Sequence, residues 1–233
     1  MNICIIPARG GSKRIYQKNI KNFNGKPIIA YSIEIALKSH CFDRVIVSTD
    51  DDEIRDVAKK YGAEVPFKRP TLLANDFTGI LPVMKNALDW LDRNNSKPEN
   101  ICLLSATAPF INKSYVQESF EQFIATNADY CFGVTSFPYP IQRAIKVTKE
   151  NRVDMFYKQY FNVRSQDLED SYHDAGQFYW GKPQAFREER MLFSQDSSPY
   201  FLPRYLVQDI DTQEDWIRAE LMHQVMQKYE ALL

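Results

Sequence analysis

This chain of 233 residues has few cysteines, no long apolar run and almost no net charge, and each shortage removes a class of function. Its four cysteines, Cys4, Cys41, Cys102 and Cys131, lie far apart, and all but Cys41 sit in apolar runs that read as buried strands. That pattern predicts packed, reduced thiols and excludes a disulfide framework or a zinc site. No run approaches the roughly 18 apolar residues that a membrane span needs, and the start MNICIIPARGG lacks the basic and apolar regions of a secretory signal. A cytoplasmic enzyme with no membrane partner is expected. Lys and Arg total 29 against 30 for Asp and Glu, so no bulk field draws in nucleic acid. Any phosphate-binding charge has to be local. The P-loop pattern and the dinucleotide fingerprint are both missing, and no Ser-His-Asp or Cys-His set offers a covalent nucleophile.

What is present is an alternation of short β-rich runs with amphipathic segments, the pattern of βαβ units around a parallel sheet. Strands are predicted at Asn2–Ile6, Arg44–Thr49, Ala63–Phe67, Ile101–Leu104 and Tyr130–Thr135. Pro27 opens a helix with Ile29, Ile33 and Leu37 on its apolar face. Asp51 or Asp52 caps the next, which carries Ile54, Val57, Ala58 and Tyr61 inward and stops at Gly62. Further helices are read over Ile80–Leu91 and Ser114–Ala125. After Phe137 the alternation fails, and residues 138–168 read as an inserted lobe within a single domain spanning 1–233. The sheet is expected to resume at Gln177–Trp180 and Tyr205–Val207. Thr212 with Asp215 then resembles a capping box for a last helix with Ile217, Leu221 and Val225 inward.

Chemistry concentrates after the first strand. Ala8-Arg9-Gly10-Gly11-Ser12-Lys13-Arg14, followed by Lys18-Asn19, combines a glycine pair, a hydroxyl and four cations, a composition suited to polyphosphate. Ligands of α/β sheets bind outside the carboxyl ends of strands, where this loop falls. Arg69 precedes Pro70, which holds it in extended backbone. Near the C-terminus, Asp209 and Asp211 stand one residue apart, so on a strand they would share a face and address one hard divalent cation.

The segments IIPARGGSKRIYQKNIKNFNGKPIIAYSI, VSTDDDEI and FKRPTLLAND resemble the cytidylyltransferases that activate sialic acid and related nonulosonic acids, and the resemblance spans nearly the whole chain. PIQRA at Pro140–Ala144, RSQDLE at Arg164–Glu169 and YHDAGQFYWG at Tyr172–Gly181 resemble the branch acting on pseudaminic acid. The resemblance implies a Rossmann-like three-layer α/β nucleotidyltransferase fold with a mostly parallel sheet and a small lobe used for dimerisation. It also implies CTP and a nonulosonic acid as substrates, Mg²⁺ as the metal, and a homodimer in which Arg143 or Arg164 can act in trans. By the same resemblance Arg9 and Ser12 bind CTP phosphates, Lys18 stabilises charge at the α-phosphate, Asn19 contacts the nucleotide, Arg69 closes over the phosphates, and Asp209 and Asp211 hold the metal. Ala8, Gly10 and Lys13 complete the nucleotide loop.

Phe77-Thr78-Gly79-Ile80 departs from the sialate pattern of small hydroxyl residues, so the cytosine contacts are unassigned there. A sugar acid needs a cation and polar partners. Ser105, Gln142, Arg143, Arg164, His173, Gln177 and Tyr179 are the candidates. The base for the anomeric proton is unassigned, with Asp211 one candidate. Legionaminic and sialic acids remain alternative acceptors; a D-x-D glycosyltransferase and a non-catalytic nucleotide-binding regulator remain alternatives of other classes.

Overall fold

The computed structural model describes residues 1–230. Strand β1 (Asn2–Pro7) is buried on both faces and lies between β4 (Arg44–Ser48) and β5 (Asn100–Leu104), parallel to each. The sheet continues through β9 (Tyr172–Gly181), β6 (Tyr130–Ser136) and the edge strand β10 (Ser197–Phe201), in the order β10-β6-β9-β5-β1-β4. Only β9 runs antiparallel to its neighbours, so the expected mostly parallel α/β sheet stands. Near-continuous apolar sequence in β1, β4 and β5 follows from burial on both faces.

Helices α1 (Ile28–Ser39), α2 (Asp52–Lys60) and α4 (Lys113–Thr126) contribute to one core with Cys4, Ile6 and Trp180. Helix α3 (Ile80–Arg93) and the short α5 (Pro183–Arg187) pack on the opposite face with Ile3, Ile5 and Leu103. Asp51 caps α2 by accepting from the amides of Glu53 and Ile54, and Thr212 and Asp215 cap α6 (Gln213–Glu230) reciprocally. Both caps agree with the sequence reading. Two hairpins are small: β2 (Asn22–Phe23) with β3 (Lys26–Pro27), and β7 (Ile145–Val147) with β8 (Val153–Met155) in the excursion between β6 and β9.

Three expectations are corrected. Ala63–Phe67 runs beside β4 but makes only isolated bridges, Ile46 to Glu64 and Thr49 to Lys68, since Pro66 has no N–H to donate. Tyr205–Val207 is not a strand: Arg204–Leu206 forms a single 3-10 turn after Pro203. The strand there is β10, whose Pro199 is tolerated because β10 is an edge. Helix α6 turns Trp216, Ala219 and His223 inward and leaves Ile217, Leu221 and Val225 about half exposed.

Candidate active site

The carboxyl ends of β1 and β5 open onto a cavity of about 290 Å³. Arg9, Ser12, Arg14, Lys18, Asn19, Arg69, Ser105 and Asp211 line it, joined by Asn75, Asp76, Thr78 and Gly79 from the segment before α3. The loop after β1 is folded tightly against the start of α2. A Cβ on Gly10 would lie 2.5 Å from Asp51 Oδ2 and 2.8 Å from Asp51 Cβ, so only glycine fits this approach.

Lysine has three N–H donors. Lys18 Nζ donates to the Ile210 carbonyl at 2.7 Å and to Asp211 Oδ1 at 3.3 Å, which fixes the ammonium and leaves one N–H for the cavity. Arg14 pairs with the other Asp211 oxygen at 2.8 Å. Arg9 and Lys13 both bind Asp76, at 2.7 and 2.6 Å. The Asp76 carboxylate therefore occupies two of the loop's cations.

Arg69 is only 4% exposed, and no carboxylate pairs with it among the described residues. Its guanidinium donates to the Ser48 carbonyl and, at 3.1 Å, to the Ser48 hydroxyl. Burial first, and then Arg9, lower its pKa to about 10, although Asp50 opposes the shift. A buried cation without a counter-ion at a cavity wall is what an incoming anion would neutralise.

The D-x-D pair lies in a loop, not on a strand, and the two carboxylates face different spaces. Asp211 lines the first cavity; Asp209 lines a second, of about 860 Å³, with His173, Asp174, Arg204, Gln208 and Arg218. Desolvation and then the charge of Asp211 raise the Asp209 carboxyl above its ordinary range. Asp209-Ile210-Asp211 thus forms the partition between the cavities, and Lys18 is tied to it.

The structure divides the remaining sequence candidates. Ala8 is buried, and its amide donates to the Ser48 carbonyl. The Gly10 amide donates to Asp50 Oδ1 at 3.0 Å, so neither N–H is free for phosphate. Lys13 lies outside the cavity on Asp76. Asn19 donates to the Arg9 carbonyl at 2.9 Å and so shapes the loop as well as lining the cavity. Ser105, expected beside the sugar, lines the first cavity.

Only His173 of the sugar candidates lines the second cavity, its ring packed edge-on against Phe137. Tyr179 belongs to the core, where its hydroxyl donates to Asp174. Gln177 is buried and donates to the Leu206 carbonyl, while its Oε1 has no hydrogen-bond partner among the described residues. Gln142, Arg143 and Arg164 lie in the β6–β9 excursion and line neither cavity. There Gln142 donates to the Glu169 carbonyl at 2.9 Å, Arg143 to the Val163 carbonyl, and Arg164 pairs with Asp167 at 2.7 Å.

Asp76, Arg204 and Arg218 are site residues that sequence reasoning did not single out. Arg14 stood in the cation-rich loop and Asp76 at the end of FKRPTLLAND, but the pairing of Arg14 with Asp211 and of Asp76 with Arg9 depends on the meeting of loops distant in sequence. The cysteines stay outside the chemistry. Burial raises the thiols of Cys4 and Cys102 and pushes Cys131 up to about 11, which makes them inert.

Comparison with known proteins gives the same picture. A family model described as cytidylyltransferase matches residues 3–233. A pseudaminic acid cytidylyltransferase from Campylobacter jejuni is 47% identical over 96% of this chain and 97% of its own length. A CMP-N,N'-diacetyllegionaminic acid synthase from Legionella pneumophila is 29% identical, covering 97% of each chain. Among solved structures, a CMP:2-keto-3-deoxy-manno-octonic acid synthetase complexed with CTP superposes with a TM-score of 0.71 at 16% identity, over 96% of this chain and 98% of that one. That last likeness speaks for the fold.

Proposed function

Because the chain belongs to the cytidylyltransferase family, we propose that it transfers CMP from CTP to a nonulosonic acid, pseudaminic acid first among them, and releases pyrophosphate. The observation that carries this reading is the convergence of Arg9, Ser12, Lys18 and Arg69 in one cavity at the strand ends. The sugar is taken from the relative named for pseudaminic acid, which matches along nearly the whole chain.

In this reaction the anomeric hydroxyl oxygen attacks the α-phosphorus in line, the bond from that phosphorus to the bridging oxygen breaks, and pyrophosphate leaves. Negative charge grows on the non-bridging oxygens of the α-phosphate. A cation held in place there lowers the barrier more than it tightens substrate binding. Lys18 is that cation, because two of its three donors are fixed by Ile210 and Asp211 before substrate arrives. Arg9, Ser12 and Arg69 hold the polyphosphate, Arg9 by exchanging Asp76 for phosphate oxygens.

Asp209 and Asp211 would hold Mg²⁺. They are close enough in charge for Asp211 to weaken the acidity of Asp209, a repulsion that a hard divalent cation offsets. When bound, such an ion neutralises charge on the transferring phosphate.

The enzyme acts in the cytoplasm as a homodimer. No helix among the described residues is long and apolar enough to cross a membrane. The β7–β8 hairpin leaves Ile145, Val147 and Val153 exposed, and the segment after it Phe156 and Phe161, an apolar surface that a second copy would cover. Packing of that lobe against a neighbouring subunit would bring Gln142, Arg143 or Arg164 toward the partner's sugar.

The test is pyrophosphate release from CTP with Mg²⁺ and a panel of pseudaminic, legionaminic and sialic acids. The highest kcat/KM is expected with pseudaminic acid. Turnover of none of them, beside active control synthetases, would sink the assignment.

A further inference from the structure

On the nucleotide side Arg9, Arg14 and Lys18 are already paired with carboxylates, and Arg69 alone is held by neutral groups. Arg9 sits on Asp76, Arg14 and Lys18 sit on Asp211, and Arg69 is bound to Ser48. The second cavity is different. Arg204 and Arg218 line it with exposed side chains, and neither guanidinium makes a hydrogen bond or close ion pair with a described residue, although Arg218 also acts on the charge of Asp215 in the first turn of α6. They approach from separate elements: Arg204 begins the 3-10 turn after Pro203, and Arg218 lies in the first turns of α6.

The rest of the wall does not ask for these cations. Of its two carboxylates, Asp174 is already satisfied: Oδ1 accepts the Gly176 amide at 2.8 Å, and Oδ2 accepts the Tyr179 hydroxyl. Gly176 has φ +64, which any other residue adopts with strain, and this turn within β9 sets Asp174 and His173 at the cavity. The other carboxylate, Asp209, belongs to the partition.

Two guanidinium groups therefore open onto one space, each with a planar fork of donors suited to a carboxylate. That space adjoins the partition residue Asp209, and the nucleotide cavity lies beyond it.

Given the acceptor assigned above, on which this step rests, we propose that the second cavity is the acceptor pocket and that Arg204 and Arg218 of the same chain hold the sugar carboxylate. In a 2-keto sugar acid the carboxylate is bonded to the anomeric carbon, one atom from the attacking hydroxyl. Fixing it fixes the direction of attack across the Asp209-Ile210-Asp211 partition. This places the carboxylate receptor in cis, where sequence reading had looked to Arg143 and Arg164 of the lobe. Those two arginines are already engaged by Val163 and Asp167.

The test uses the full chain with CTP, Mg²⁺ and pseudaminic acid, comparing the wild type with Arg204→Met, Arg218→Met and the corresponding Lys variants. Loss of one charge-assisted contact should raise the KM for the sugar by about 10- to 100-fold. The KM for CTP and the melting temperature should stay within error, and Lys should recover part of the loss. The methyl ester of the sugar provides the second readout: with it, wild type and Met variants should have equal KM values. A wild type that is active while both Met variants keep its sugar KM overturns the arginine assignment alone. An equal rise in the KM for CTP overturns it too. A wild type inactive on every nonulosonic acid removes the proposed function itself, and this inference with it.

Discussion

Lys18 and Arg69 are both cations at the nucleotide cavity, yet they are held in opposite ways, and their variants should fail differently. Lys18 is fixed by an oxygen on each of two neighbouring residues, Ile210 and Asp211. Lys18→Met should lower kcat by roughly 100- to 1,000-fold, as loss of one preorganised donor at a developing oxyanion does, while CTP still binds in an equilibrium titration. Near-normal kcat would remove its catalytic role. Arg69 is buried with no carboxylate, so its charge is maintained against desolvation.

Arg69→Met should weaken CTP binding by about 10-fold or more, yet leave the melting temperature of the free protein unchanged or raised, because a buried charge is replaced by a side chain that needs no hydration. Burial disfavours the Arg69 charge in the free protein, and a bound phosphate offsets that cost, so CTP should raise the melting temperature of the wild type more than that of Arg69→Met.

The loop residues Arg9, Ser12 and Lys18 were legible because one local motif contains them. Asp76, Arg204 and Arg218 were not, nor was the pairing of Arg14 with Asp211, since these roles depend on which loops the fold brings together.

Among the elements, caps were readable and edges were not. Thr212 and Asp215 exchange hydrogen bonds at the start of α6, and Asp215 Oδ2 also accepts the Asp211 amide at 3.2 Å. The cap that starts the helix thereby also orients a site carboxylate. Thr212→Val should destabilise the fold by about 1 kcal/mol and raise the Mg²⁺ concentration needed for half-maximal rate. Denaturant melts and a Mg²⁺ titration of rate measure the two; an unchanged Mg²⁺ requirement would separate the cap from the site.

The sequence of β10, Ser-Ser-Pro-Tyr-Phe, reads as a loop because of Pro199, a residue that the sheet edge tolerates. Helix α6 has two apolar stripes, and periodicity alone cannot choose between them. Trp216, Ala219 and Met222 pack on Phe23 and Phe110, and that contact decides.

For the whole molecule, alternating strands and helices announced the α/β sheet, while the antiparallel course of β9 left no trace in composition. The buried half of β9, residues 177–181, looks alike in either direction, and the excursion after β6 is long enough for a parallel crossover as well as for the antiparallel return that is found. The same excursion carries the exposed apolar hairpin. Light scattering at micromolar concentration should give twice the monomer mass of 27.2 kDa, and Val147→Asp with Val153→Asp should return it to monomer. A wild type that stays monomeric would remove the lobe's proposed role in trans.

The central claim is that the Asp209-Ile210-Asp211 partition joins a nucleotide site to a sugar-acid site for direct transfer of CMP. ³¹P NMR of the purified protein with CTP, Mg²⁺ and pseudaminic acid tests it most directly. The account predicts that the triphosphate signals fall while one phosphodiester signal and pyrophosphate rise in equal amounts, and that none of this happens without the sugar. CTP left intact with the sugar present, or consumed to CMP and pyrophosphate without it, would contradict the account.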